Sequence, residues 1–264
     1  MMESIDLSIL GPAFTAGLLV LSTHVPLGRQ VLARGIIFLD LAVAQIAGLG
    51  VIVAYSFGWE PGGWQVQLIA MGAALAGAVL LYLAEKFLPS VQEAIIGCVF
   101  VLAASGGLLA LSTNPHGGEQ LKELLAGQIL WVSYKQLIPV AAVYAAILGI
   151  WFSLRKQRHP LLFYGLFAVA VTTSVQLVGV YLVFASLIMP ALAARSVRRN
   201  PILVAYACGV ISYAAGLALS AVSDLPSGAT VVCSLAVFAT VTAILLKGFT
   251  ANTSNTNNPM TENA

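Results

Sequence analysis

The chain has 264 residues, 59% of them hydrophobic and only 8% charged, with a mean hydropathy of +0.95. Soluble domains run near half apolar and a quarter charged, so there is too little polar surface here to cover a globule, and an aqueous enzyme or binding module is excluded. The formal net charge of +2 points neither to nucleic acid nor to a polybasic lipid-binding surface.

At about 20 apolar residues per crossing, this length predicts an all-α, polytopic membrane helix bundle of about eight or nine transmembrane helices with short connections. The start MMESIDLSIL carries Glu3 and Asp6 where a secretory leader has basic residues, so the first apolar run is expected to be retained. Apolar runs follow at about 7–23, 36–57, 66–84, 94–112, 137–154, 162–176, 179–194, 202–222 and 228–246. Arg29 and Arg34 follow the first run, Arg155, Lys156 and Arg158 the fifth, Arg195, Arg198 and Arg199 the seventh, and Lys247 the last. Nine crossings put all of these on one face, the cytoplasmic one by the positive-inside rule. The opposite face receives Glu60, His116, Glu119 and Asp224, with Lys122 and Lys135 as its basic residues.

In the second run Asp40 and Gln45 lie inside an apolar helix. An Asp at the membrane centre costs about 2.5–3.5 kcal/mol, so Asp40 either belongs to a pathway or, only six residues past Arg34, pairs with that arginine near the interface. Gln45 lies deeper, where an interhelical hydrogen bond is its simplest role. Residues 117–136 have an apolar core too short to span and read as an interfacial or re-entrant helix on the outer face.

A single helix from Arg158 to Arg195 would be about 50 Å long against a core of about 30 Å. Two short or broken helices near 162–194 are therefore expected, turning near Gln176 to Gly179. Asp224, Pro226, Ser227 and Gly228 form a helix-start signature whose dipole end faces outward. Residues 1–249 thus form one transmembrane domain, and the polar tail 250–264 is expected to be disordered.

Catalytic and permanent cofactor sites are not expected: the chain has no P-loop, no dinucleotide fingerprint, no H-E-x-x-H and no C-x-x-C. It cannot hydrolyse ATP by itself. Cys98, Cys208 and Cys233 sit in apolar runs and read as packing residues. Among the histidines, His24 ends the first run, His159 sits in a basic loop, and His116, in an outer N-P-H-G-G turn, is the best metal-ligand candidate, although no second ligand stands nearby at metal-site spacing.

Three segments together resemble the permease family of bacterial ABC importers for zinc, manganese and iron: R-G-I-I-F-L-D-L-A-V-A-Q-I-A-G-L-G-V (34–51), V-G-V-Y-L-V-F-A-S-L-I-M-P-A-L-A-A-R (178–195) and D-L-P-S-G-A-T (224–230). The resemblance runs from about residue 10 to 246. It implies a multi-pass permease of the bacterial cytoplasmic (inner) membrane, in contact with lipid, that moves a divalent metal ion as substrate. The implied partners are a second copy or a close relative, a cytoplasmic ATP-binding subunit and an extracytoplasmic metal-binding protein. It further implies that Pro190, Ala191, Arg195, Arg198, Arg199 and Asn200 form the segment that couples to the ATPase, and that the helix near 124–134 faces the binding protein.

Many relatives carry L-G-D-A-L-S-H-A in the second run, where the Asp and the His contact the metal. Here Asp40 matches the Asp, but Ala44 or Gln45 falls at the His position, depending on which residue is held in register. An amide is a weaker zinc ligand than imidazole, which leaves selectivity to the binding protein or points to a different substrate. Permeases for metal chelates share the coupling segment but are usually longer, and a stand-alone secondary carrier would be a similar bundle with few charges. An intramembrane enzyme has no visible nucleophile or paired-carboxylate site.

Overall fold

The computed structural model describes residues 7–59, 63–112, 117–154, 159–197 and 199–256. His116, Arg198 and the segment 155–158 with its three basic residues lie outside these. Ten α-helices follow one another: α1 (Leu7–Arg34), α2 (Leu39–Ser56), α3 (Trp64–Phe87), α4 (Gln92–Leu111), α5 (Gly117–Ala126), α6 (Tyr134–Ser153), α7 (Pro160–Val178), α8 (Val180–Ala193), α9 (Pro201–Ser223) and α10 (Ser227–Thr256). Among the described residues seven helices are long and apolar enough to cross a membrane, and two shorter apolar helices are α2 and α8. The polytopic helix bundle expected from composition is the observed fold. Among the described helices only α5 is amphipathic and too short to span, with Glu119, Lys122 and Glu123 within its 10 residues.

Three boundaries differ from the apolar runs. The first helix does not stop near residue 23 but continues to Arg34, with Pro12 and Pro26 inside it. Neighbouring helices absorb the lost backbone bond that would end a solvated helix at such a proline. His24, read as the end of the first run, is consequently a wholly buried residue in the body of α1. At the other end of the chain, α10 runs past residue 249 to Thr256, and residues 257–264 lie outside the described residues. Finally, Asp224 does not cap α10: it closes α9 in the left-handed conformation (φ 51°), which a short polar side chain tolerates.

The core is built around α7 and α8, the most enclosed helices, with α1, α9 and α10 packed on α8 and α2 and α3 on α7. At 14 residues, α8 is about 21 Å long. Buried hydroxyls tie the elements: Tyr144 pairs with Ser174 (2.6 Å) between α6 and α7, and Ser186 with Tyr213 (2.7 Å) between α8 and α9. Tyr206 donates to the Ser22 carbonyl (2.9 Å) between α9 and α1. With no water to satisfy these groups, such interhelical bonds are the available partners in a membrane, each contributing on the order of 1 kcal/mol.

The break between α7 and α8 is a single residue, Gly179, with φ 79° and ψ 162°. Gly127, at the end of α5, has φ 69° and lies against it: a Cβ on Gly127 would meet the Val178 carbonyl at 2.2 Å, and a Cβ on Gly179 would meet the Gly127 nitrogen at 2.3 Å. Both the dihedrals and the close approach demand glycine. The first turn of α10 joins the same place, since a Cβ on Gly228 would meet the Ala126 carbonyl oxygen at 2.3 Å. Gly179→Ala is therefore expected to lower the midpoint of thermal unfolding of the purified chain by several degrees, while Gly149→Ala, at a glycine with open space around it, leaves it nearly unchanged. Equal melting curves for wild type and Gly179→Ala would show that the junction can yield.

Candidate functional site

The alternation of the apolar helices brings the ends of α1, α3, α6 and α8 to one end of the bundle, together with Arg34, Lys86, Arg195 and Arg199, the end that the positive-inside rule assigns to the cytoplasm. On the opposite side a cavity of about 710 Å³ opens between α2, α3, α5, α6 and α7. Its polar lining consists of Tyr55, Gln67, Glu123, Gln128, Gln136, Gln176 and Thr173, set among Val51, Trp64, Met71, Trp131 and Val140. The glutamines come from different elements: Gln67 from the first turn of α3, Gln128 from the turn after α5, Gln136 from the first turn of α6 and Gln176 from the last turn of α7.

Hydrogen bonds hold all four. Gln67 donates to Gln176 across the cavity, Gln128 Nε2 donates to Glu123 Oε1 (2.7 Å), and Gln136 Oε1 accepts from the Ser133 N–H (2.9 Å), closing the N-terminus of α6. Gly127, Val175 and Leu177 complete the wall, so the glycine junction is part of the cavity's floor. None of the candidate metal, coupling or helix-start residues named from the sequence lines this cavity; Gln176, named there only as the start of a turn, and part of the 124–134 segment do. Its glutamines were passed over because each sits at a helix end, where a polar side chain is unremarkable, and only the fold brings four of them together.

Asp40 occupies the first turn of α2, at the end of the bundle that carries Arg34, 1% exposed, with both carboxylate oxygens lacking a hydrogen-bond partner among the described residues. Arg34 is not its partner. That guanidinium bonds both oxygens of Glu85 at the end of α3 (3.0 and 3.2 Å) and stacks 4.5 Å above the Phe163 ring of α7. Nearby, Gln92 donates to the Tyr164 hydroxyl (2.7 Å), and Glu93 accepts from the Phe38 N–H (3.3 Å). The carboxylate of Asp40 is thus left free of the charge network around it.

Gln45 is half-buried, in a small recess with Ala44, Ala103, Ala104 and Gly107 on the side of α2 that faces α4, away from the cavity. His24 is fully buried; Thr23 Oγ1 lies 3.2 Å from its Nδ1, and its Nε2 has no partner. His116 falls outside the described residues. No group of three or more His, Cys, Asp or Glu that could hold a metal ion occurs among the described residues.

In the coupling segment, Pro190 and Ala191 are buried inside α8, and Arg195, Arg199 and Asn200 are exposed. Asn200, at φ 55°, reverses the chain into Pro201, the first residue of α9. At the outer end, Asp224 and Pro226 are exposed, Ser227 and Gly228 are buried, and the Pro226 carbonyl accepts from both the N–H and the hydroxyl of Thr230 (3.0 and 2.8 Å).

A family model described as the ABC 3 transport family matches residues 6–161 and 152–246. The chain is 26% identical over 256 residues to the manganese transport system membrane protein MntC of Halalkalibacterium halodurans, covering 87% of this chain and 85% of that one. It is also 26% identical over 254 residues to the uncharacterized membrane protein slr2045 of Synechocystis sp., covering 88% and 89%. Among solved structures, PsaBC from Streptococcus pneumoniae in complex with Fab superposes with a TM-score of 0.70 at 20% identity, over 91% of each chain. An inward-facing putative metal-chelate type ABC transporter superposes with a TM-score of 0.66 at 15% identity, over 94% of this chain and 90% of that one.

The Arg34–Glu85 pair, with its side chains 19% and 29% exposed, generates an expectation of its own. A double-mutant cycle of Arg34→Ala and Glu85→Ala, read by unfolding of the purified chain, should give a coupling energy on the order of 1 kcal/mol. Additive effects would mean the pair contributes nothing measurable.

Proposed function

The chain belongs to the ABC 3 transport family, and on that premise we propose that it is the membrane-spanning permease of an ATP-driven importer of divalent metal ions, zinc, manganese or iron, in a bacterial cytoplasmic membrane. The observation that carries the reading is the family match across nearly the whole transmembrane bundle, 6–161 and 152–246. The manganese transport membrane protein among the relatives supports the substrate class. The sequence has no P-loop, so ATP is hydrolysed on a separate cytoplasmic subunit, and no covalent chemistry takes place here.

The exposed Arg195, Arg199 and Asn200, with Arg198, form the docking surface for that subunit. Motion there passes into α8 through its buried end at Pro190 and Ala191. On the outer side, α5 and the mouth of the cavity, with the Asp224 to Gly228 turn beside them, receive an extracytoplasmic binding protein. Gln67 and Gln176 are exposed at the outer ends of spanning helices, where contact with lipid would leave their amides poorly satisfied. A second copy of the chain, closing the open side of the cavity, supplies the missing cover. Asp40 is the charged step of the path on the cytoplasmic side, with Gln45 and His116 as weaker candidates for contact with the ion.

Purification from the native membrane in mild detergent is expected to recover an ATPase subunit in stoichiometric amount. Transport by the chain alone in liposomes would instead identify a secondary carrier. In the assembled complex Asp40→Asn should cut metal uptake at least several-fold without loss of assembly; normal uptake would remove Asp40 from the path. Arg195→Glu with Arg199→Glu should lower the yield of ATPase-bound complex, and an unchanged yield would refute the docking role.

A further inference from the structure

We propose that the outer cavity is a cation-binding site that takes the ion with its water shell intact, holding it through Glu123 and a ring of glutamine amides. The inference rests on the importer reading and deepens it by stating in which form the cargo enters.

Size is the first argument. An ion with about six coordinated waters, each taking ~30 Å³, fills on the order of 200 Å³, and the cavity holds about 710 Å³. A bare ion is far too small to touch Gln67 and Glu123 on separate walls at once. A hydrated one presents hydrogen-bond donors in every direction.

The chemistry of the walls is the second. Stripping the shell from a divalent transition ion requires several imidazole, thiolate or carboxylate donors at bonding distance. The described lining offers one carboxylate, Glu123, with the amides of Gln67, Gln128 and Gln176 and the hydroxyl of Tyr55, while the Gln136 oxygen is taken up by the N–H and hydroxyl of Ser133. Amide and carboxylate oxygens accept well from metal-bound water, whose protons the ion's charge makes strong donors.

Preorganisation is the third. The Gln128 amide holds Glu123, and Gln67 holds Gln176, so the acceptors stand in place before the ion arrives and little side-chain freedom is lost on binding. Such a site is selective for charge and weak enough to release.

Hexaamminecobalt(III), which cannot exchange its ligands, mimics a hydrated cation and tests the proposal on the full-length chain in nanodiscs. Binding of Mn²⁺, followed by the loss of its free-ion electron paramagnetic resonance signal, is expected to be displaced competitively by hexaamminecobalt(III). Glu123→Gln, an isosteric change at an exposed position, should weaken both ligands several-fold while eluting as the wild type does. Mn²⁺ binding that resists hexaamminecobalt(III) would overturn the proposal, because the ion would then be held by direct ligation. Undiminished competition in Glu123→Gln would overturn it too, by placing the site elsewhere. Either result, obtained with a complex that still imports Mn²⁺, leaves the importer reading standing; a complex with its ATPase that moves no divalent ion sinks that reading instead.

Discussion

The outer end of the bundle is governed by a place where backbone meets backbone with no side chain between. Gly127, Gly179 and Gly228 bring the end of α5, the break between α7 and α8 and the start of α10 within van der Waals contact. Much else follows from this approach. It fixes α5 against the membrane face, it allows α7 and α8 to be separate short helices rather than one of excess length, and it forms the floor of the outer cavity. Because the wall is main chain at this point, its shape does not relax through rotamers, and a shift of α8 is passed to α5 directly.

Elsewhere the bundle handles its polar groups with economy. Most buried hydroxyls of the spanning helices find a carbonyl or another hydroxyl: Ser174 takes both Ala170 O and Tyr144, and Ser212 bonds Cys208 O. Asp40 stands against that pattern. An ionisable group enclosed without a partner costs the fold several kcal/mol at membrane depth, and Arg34, the obvious counter-charge in the sequence, is committed to Glu85 and Phe163. That uncompensated cost is the observation behind the proposed place of Asp40 on the ion path.

The fold class was legible because hydrophobic runs of membrane length are an unambiguous signal, and the alternation of Arg and Lys clusters gave an expectation of eight or nine crossings, which the seven long and two shorter apolar helices among the described residues accommodate. The break near Gly179 was legible from length alone. The extension of α1 past Pro26 was not, because a proline ends a solvated helix but is tolerated in one packed against neighbours. Nor was the burial of His24, which followed from that misplaced boundary. The cavity was invisible for a different reason: Gln67, Gln128, Gln136 and Gln176 are up to 109 residues apart, and nothing local to any of them marks a shared wall. Arg34 was read against its sequence neighbour Asp40, whereas its partner lies 51 residues on, in α3.

One helix connects the two polar regions. Val51 and Tyr55 of α2 face the open outer cavity, and Asp40 begins the same helix eleven residues earlier, a rise of about 16 Å. In the importer proposed above, a water-filled outer cavity would carry the potential of the outer solution inward, and the membrane voltage would fall mainly across this interval, with a gradient about twice that of a uniform 30 Å core. The electrical work on a cation following that path, about 2.3 kcal/mol per charge for each 100 mV, would then be concentrated between Val51 and Asp40, so that the proposed path is also where the membrane potential would act most strongly.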